Sequence, residues 1–556
     1  MLNKVSFVAE DTKTRKYFLP KSVVLQKGRV ADIDHLFVDQ EQQVFTDEPM
    51  SITMENRPGE ENALILLDFG VEFSGGARII SELCTGEINP IFRLSFGESA
   101  NEAMADISVK GATNDHSARD INITLASFGD MEFCQTGYRF LRLELLSPNC
   151  SVRIKSILGL FIYRDIEYKG SFECSDQRLN DIYNIAAYTC HLNMQDMLWD
   201  GIKRDRLVWI GDMHPEMLTI RTVFGYDKCI EEGMEYAIKK APLPDYPNHM
   251  VTYAMWWIVI CYDWYMNTGK LDRIDRNRTY ILQLLTQFCS LVDQNGDDAL
   301  SQYDTGYFLD WPTFCKPEAI PGVRALMAIA LKKGSALCDL LDERQLSKLC
   351  LSKADALALK ISVPSNAKQS LAFMSMAGHL DKNEAAALIA KDSAKGFSTF
   401  MSYYMLSALS AAGQTDDALR ILAEYYGAMI DAGATTFWED FSMDWVREGA
   451  SIERYNEPGE YDIHGDNGAH CYIGFRHSLC HGWSSAPTAY LAETVLGIKV
   501  LEPGCQKIAI EPDLGFLSYA KGTYPTPYGN VYVNHTKNPD GTLKTDYTLP
   551  EGVELA

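Results

Sequence analysis

The spacing of apolar positions changes twice along this chain. Up to about residue 165 it has the two-residue period of strands. Ala63 to Phe69, apolar but for Asp68 and ended by Gly70, has the pattern of a buried strand. Leu141, Leu143 and Leu145 alternate with Arg142 and Glu144, and Val152 and Ile154 with Arg153 and Lys155, as in half-exposed strands. From about Ser171 the period becomes helical. Leu179, Ile182, Tyr183 and Ala186 share one face, as do Ile281, Leu284, Leu285, Phe288 and Leu291, and Ala418, Ile421, Leu422, Tyr425 and Met429. Thr415-Asp416-Asp417 is read as a cap with first-turn acids. Helical patterns with no strands between them continue to about Leu496, after which Lys507 to Glu511 reads as a strand and Asn538-Pro539-Asp540-Gly541 as a turn between two more. The expected fold is multidomain: an N-terminal β-sandwich over residues 1–168, an all-α toroid or bundle over 169–496, and a C-terminal β domain over 497–556.

Composition adds exclusions. Acidic residues outnumber basic ones, 75 to 51, for a net charge of −24. That field repels phosphate backbones, so nucleic acid is not expected as a partner. The 14 cysteines show no paired spacing, and Cys261, Cys289 and Cys338 sit in apolar runs, as buried thiols in a reducing compartment do. Met1 to Phe7 lacks the charge-then-apolar order of an export leader, and no run is long enough to span a bilayer. The expected location is therefore cytoplasmic, or periplasmic or secreted if a leader has been removed, without a membrane partner. Homodimerisation is left open.

All nine tryptophans lie in the helical region. Trp256, Trp257 and Trp264 read as core. Others stand beside carboxylates, where an indole face and its N–H suit a sugar ring. The densest such stretch is Trp199-Asp200-Gly201-Ile202-Lys203-Arg204-Asp205-Arg206-Leu207-Val208-Trp209-Ile210-Gly211-Asp212, a loop leading into a helix that starts near Asp212. Gly433-Ala434-Thr435-Thr436-Phe437-Trp438-Glu439-Asp440, Tyr307-Phe308-Leu309-Asp310-Trp311-Pro312 and His477-Ser478-Leu479-Cys480-His481-Gly482-Trp483-Ser484 are the other candidates. Singly, each is accounted for by an ion-paired loop, a helix cap or a hydrogen-bonded histidine.

Together they resemble glycoside hydrolase family 78, the α-L-rhamnosidases. Asp200 to Asp212 is similar to that family's Asp-Cys-Pro-x-Arg-Glu-Arg-Leu-Gly-Trp-x-Gly-Asp, Gly433 to Glu439 to its Gly-Ala-Thr-Thr-x-Trp-Glu, and Ser478 to His481 to its Asn-Ser-Phe-Asn-His. Asp68-Phe69-Gly70 and Gly137-Tyr138-Arg139-Phe140-Leu141 resemble motifs of the β domain that precedes its catalytic domain. The resemblance implies an (α/α)6 barrel flanked by β-sandwiches, a carbohydrate substrate, no metal or other cofactor, and hydrolysis with inversion. In that chemistry one carboxyl protonates the leaving oxygen and another, about 6.5–9.5 Å away, activates water. Position by position, it places Asp205 on the acid and Glu439 on the base. Asp200 and Asp212 fall on carboxylates that hold sugar hydroxyls, and Trp209, Trp311 and His481 on the pocket; Asp310 is added by proximity, and Arg204 and Trp438 are further candidates for binding substrate. Asp205 stands where the family usually has Glu, and Gly201-Ile202 replaces Cys-Pro, which leaves Asp200 or Asp212 as other candidates for the acid. The rival readings are another glycosidase on the same barrel and a catalytically inactive sugar-binding relative. His464, Asp466 and His470 read as a polar loop rather than a metal set.

Overall fold

The computed structural model describes residues 11–360, 365–447, 451–470 and 472–556; the segment read for a leader, Met1 to Phe7, lies outside them. The chain divides into two compact units. One comprises Met1–Ile166, His191–Arg206 and Glu448–Cys480, the other Glu167–Cys190, Leu207–Arg447 and His481–Ala556.

The first unit is built on an antiparallel sheet. Among the described residues its strands run in the order Arg29–Ala31, Ile52–Asn56, Cys150–Tyr163, Leu64–Thr85, Asp130–Leu145, Ile91–Gly97 and Asp120–Thr124. Thr14–Phe18 and Ser22–Lys27 add to Cys150–Tyr163 and Leu64–Thr85 respectively. The strand that begins in the Ala63–Phe69 run does not end at Gly70. It continues to Thr85, with its pairing to Asp130–Leu145 shifting between Asp68 and Phe73. Gly70, at φ 84°, takes the irregular step that the bulge requires. Phe140 to Leu145 is also more buried than its alternation implies: Arg142 is 8% exposed and bonds Glu144 and Met104 O, so the polar face too is covered. Lys155 is buried on the same principle, its ammonium donating to Gln43 O and Thr46 Oγ1.

The two motifs of this β region bind each other. Asp68 accepts two bonds from Arg139, each 2.8 Å, and Arg139 Nη2 also reaches Glu453 at 2.6 Å. A paired, bidentate geometry is what allows a buried Arg and Asp to coexist. Gly137 has its own reason: a Cβ there would lie 2.5 Å from Ile202 Cγ1 and 2.8 Å from Lys203 N, so its absence lets the 200–206 loop lie directly on the strand.

The second unit is helical with a sheet-rich C-terminus. The helices Ile210–Val223, Val251–Thr268, Ala319–Leu340, Lys368–Ala377 and Ser402–Ala411 are buried over most of their circumference, whereas Cys229–Lys240, Arg278–Ser290, Arg344–Ala358, Lys382–Ala390 and Thr415–Asp431 each bury one stripe. The three helical faces expected from periodicity are all buried, as are Trp256, Trp257 and Trp264. Thr415 is not a cap. It lies inside its helix and donates to Asp513 Oδ2 at 2.6 Å, while Asp416 and Asp417 do occupy the first turn. Among the described residues between Ala432 and Ala486 there are only turns, 3-10 segments and the short pair Gly468–Ala469 and Tyr472–Ile473, so the helical run is interrupted. The C-terminus supplies Tyr519–Thr526, Gly529–Lys537 and Leu543–Thr548 to a sheet with Ser171–Cys174. The expected Asn538 to Gly541 turn joins two of these strands.

Among the described residues the cysteines are free; Cys289 and Cys338 are buried and Cys261 half-buried. No described helix is long and apolar enough to cross a membrane.

Candidate active site

Four carboxyl groups of the helical unit form one electrostatic cluster. Asp212 stands in the first turn of Ile210–Val223, where the helix N-terminus favours negative charge. It is 3% exposed. Its Oδ1 lies 3.0 Å from His481 Nε2, and its Oδ2 accepts from Tyr253 OH at 3.4 Å. The preceding Gly211 leaves room for Tyr253, whose ring a Cβ would meet at 2.4 Å. Burial holds the Asp212 carboxyl above its ordinary range; the His481 bond opposes this and the Glu439 charge adds to it.

Glu439 follows the helix Thr415–Asp431, which stops where Gly433 enters the left-handed region at φ 98°. The chain then crosses Phe437 and Trp438 and is pinned at Glu439, whose carbonyl accepts from Trp483 Nε1 at 2.8 Å and Thr399 Oγ1 at 2.6 Å. Asp440 is pushed up to about 7, by burial first and then by the charges of Asp310 and Glu439. Asp310 is raised to about 6 by burial, against bonds from Ser398 Oγ and from Trp311 N, the latter at 2.8 Å. Asp212, Glu439, Asp440 and Asp310 thus sense one another in sequence, each neighbour making a further negative charge harder to hold.

Aromatic side chains surround this cluster. Trp483 stacks on Phe400 at 4.5 Å between centroids and lies 4.6 Å from the His481 ring. Trp209 meets Tyr253 edge-on at 6.1 Å, and Phe308 meets Trp311 at 5.0 Å. The indole N–H groups of Trp209 and Trp438 are buried without a hydrogen-bond partner. A buried donor without an acceptor costs free energy, so these two indoles beside carboxylates are positions that an acceptor would satisfy.

Asp200, Arg204 and Asp205 belong to the sheet-rich unit, and Trp209, Asp212, Asp310, Trp311, Trp438, Glu439 and His481 to the helical one. Asp200 is 3% exposed. Asp205 accepts from Arg204 Nη1 at 2.7 Å and lies 3.3 Å from His116 Nδ1, and Arg204 Nε donates to Arg476 O. Asp205 and Arg206 adopt φ of 52° and 54°, a strained conformation for residues with a Cβ. The anchor of this loop is Lys203. Its ammonium lies 2.8 Å from Glu98 and 3.1 Å from Glu102 and donates to the carbonyls of Phe475 and His477.

The carboxylates of Glu98 and Glu102 and a nitrogen of His464 lie within 4.8 Å of one another, as metal ligands could. Lys203 already supplies the cation there, and burial keeps His464 neutral, with its Nδ1 on Ser99 Oγ and its Nε2 on His477 O. His464 lies in a turn, as the loop reading expects, but is buried against this ion cluster.

From sequence, Asp440 stands in a candidate stretch without a role of its own, and Tyr253, His116 and the Glu98–Glu102 pair are not singled out. For the pair a local signal existed: Ser99 to Glu102 has the Ser-x-x-Glu spacing of a helix start, with Glu102 N on Ser99 Oγ, while Glu102 Oε2 accepts from Glu98 N, one residue before the cap. The others depend on contacts made by distant segments.

Comparison with known proteins agrees with the motifs. Residues 167–325 match the bacterial α-L-rhamnosidase six-hairpin glycosidase domain, and residues 497–556 the bacterial α-L-rhamnosidase C-terminal domain. An α-L-rhamnosidase of Formosa agariphila is 33% identical over 85 residues, 15% of this chain and 8% of that protein. The crystal structure of a family 78 rhamnosidase of Bacillus sp. GL1 superposes with a TM-score of 0.73 at 21% identity, over 92% of this chain and 54% of that one. A rhamnosidase of Klebsiella oxytoca, solved with rhamnose bound, superposes with a TM-score of 0.66 at 16% identity, over 86% and 96%. The likeness to family 78 is borne out, and the chain has that fold: a helical domain with sheet-rich N- and C-terminal parts.

Proposed function

We propose that this chain is a glycoside hydrolase that releases terminal L-rhamnose from oligosaccharides or glycosides, with inversion at the anomeric carbon. The observation that carries the proposal is the buried cluster of Asp212, Asp310, Glu439 and Asp440, walled by indoles whose N–H groups at Trp209 and Trp438 await an acceptor. Glu439 is the base that activates water, and Asp205 the acid that protonates the leaving oxygen. Asp200, Arg204, Asp212, Asp310 and His481 hold hydroxyls, and Trp209, Trp311 and Trp438 take the apolar faces of the ring, including its methyl group. For Asp205 to deliver a proton, its contact with Arg204 must be given up to the substrate. The alternation of all-round-buried and one-stripe helices supports an (α/α)6 toroid over 169–496, flanked by β-sandwich domains over 1–168 and 497–556, with 191–206 and 448–480 lent to the sheet-rich unit.

The test is proton NMR of fresh product from an α-L-rhamnoside. Initial release of the β anomer of rhamnose supports sugar and stereochemistry together. Turnover of glucosides or uronides in its place would move the specificity, and no turnover of any glycoside would favour a sugar-binding relative.

A further inference from the structure

The five helices buried over most of their circumference all line one cavity, of about 230 Å³. His214, Leu218 and Arg221 face it from Ile210–Val223, and Leu326, Ile329 and Lys333 from Ala319–Leu340. Val251–Thr268 contributes Asp263, after Trp256 and Val259. Spacings of three and four put each set on one helix face, and each stripe ends in a charged residue. Leu218, Val259 and Leu326 are buried, whereas the side chains of Arg221, Asp263 and Lys333 are 13%, 16% and 26% exposed. The cavity is therefore apolar within and charged at its mouth. None of the clustered carboxylates Asp212, Asp310, Glu439 and Asp440 lines it.

Hydrogen bonding at the mouth occupies the acceptors and leaves donors over. Asp263 accepts from Lys333 Nζ and from His214 Nε2, the latter at 3.1 Å. A carboxylate only accepts, so His214 carries its proton on Nε2, and its Nδ1 accepts from Tyr404 OH at 2.6 Å. Burial keeps this imidazole neutral, opposed by the Asp263 charge and reinforced by Lys333 and Arg221. Glu493 is met by Arg221 Nη2 and by Tyr403 OH. Arg221 Nε, in contrast, is buried without a partner, and the three N–H donors of Lys333 have one acceptor, Asp263. We infer that this cavity binds a small monocarboxylate, with its apolar body against Leu218, Leu326 and Ile329 and its carboxylate between Arg221 and Lys333. The volume lies below the ~300–1,000 Å³ of clefts for drug-sized ligands, which limits the body to a few carbons. A cation would find both carboxylates already met, and a sugar would set hydroxyls against the apolar inner wall.

The test is saturation-transfer NMR of the unaltered protein with butanoate and, separately, with butanamide, which has the same size and no charge. Binding rather than turnover is read, so the outcome is independent of the proposed hydrolysis. Butanoate is expected to give a saturable signal, with a Kd at least about tenfold below that of butanamide. Two variants, with their fold checked by circular dichroism, locate the signal. Lys333→Gln should raise the Kd for butanoate at least about tenfold, and Ile329→Trp, which fills the cavity, should abolish binding. If the Ile329 variant does not fold, Met376, 46% exposed at the same cavity, permits the block from the mouth as Met376→Trp. No butanoate signal from the unaltered protein, or a signal that survives the filled cavity, overturns the site. Equal affinity for butanamide, or an unchanged Kd in Lys333→Gln, overturns the carboxylate assignment.

Discussion

His481 Nε2 stands 3.0 Å from Asp212 Oδ1 across 269 residues of chain. The bond joins the first turn of Ile210–Val223 to the loop before Gly482, and both partners are buried. It gives the Asp212 carboxyl a hydrogen-bonded partner where burial alone would strip it of water, and it fixes the imidazole beside Trp483.

Replacing Glu439 by Gln keeps the shape and removes the carboxylate proposed as the base. The expected loss in kcat is on the order of a thousandfold, or about 4 kcal/mol of transition-state stabilisation. Asp205→Asn should be as damaging on natural glycosides, yet milder on an aryl glycoside whose leaving group needs little protonation. If Asp205→Asn is fully active on natural glycosides and Asp212→Asn is dead, the acid is Asp212.

Asp440 makes stability depend on pH in a defined direction. Its carboxyl is raised from 3.8 to about 7 in the folded protein, so the folded state holds a proton that the unfolded chain releases earlier. The associated stability is whole below about pH 4 and is lost as pH rises through 7, in all ~2–4 kcal/mol. Asp440→Asn cannot titrate. Its denaturation midpoint should therefore fall less than that of the unaltered protein between pH 4 and 8, and parallel profiles would contradict this.

Lys203→Met leaves Glu98 buried without its cation and Glu102 with only the more distant Arg119, at 4.0 Å. Breaking such a pair from one side costs about 3–5 kcal/mol, read as a lower denaturant midpoint. Adding Glu98→Gln, which removes a carboxyl already raised to about 7 by burial, should recover part of it.

Gly482→Ala tests the loop beneath His481. The new methyl would lie 1.6 Å from Glu216 Oε1, so either the glutamate or the loop must move. We expect kcat/KM to fall at least tenfold, with partial recovery on adding Glu216→Ala. Additive effects in that double-mutant cycle would show that the two residues do not meet.

Much of the architecture was readable residue by residue. The faces at Leu179, Ile281 and Ala418 were legible because a helix repeats its exposure every few positions. Asn538 to Gly541 could be placed because a turn conformation restricts residue type locally. The misreadings share one cause. Phe140 to Leu145 looks half-exposed, and Gly70 looks like a strand end, because neither position records what another segment later lays against it.

Local chemistry thus settles period, turn and motif order, since each depends on neighbours a few bonds away. That Asp68 would be answered by Arg139, that Lys203 would be enclosed by Glu98 and Glu102, and that Asp310 and Asp440 would share a field with Glu439 followed from the packing alone. Desolvation and Coulomb energy depend on distance through space, and only the folded chain sets those distances.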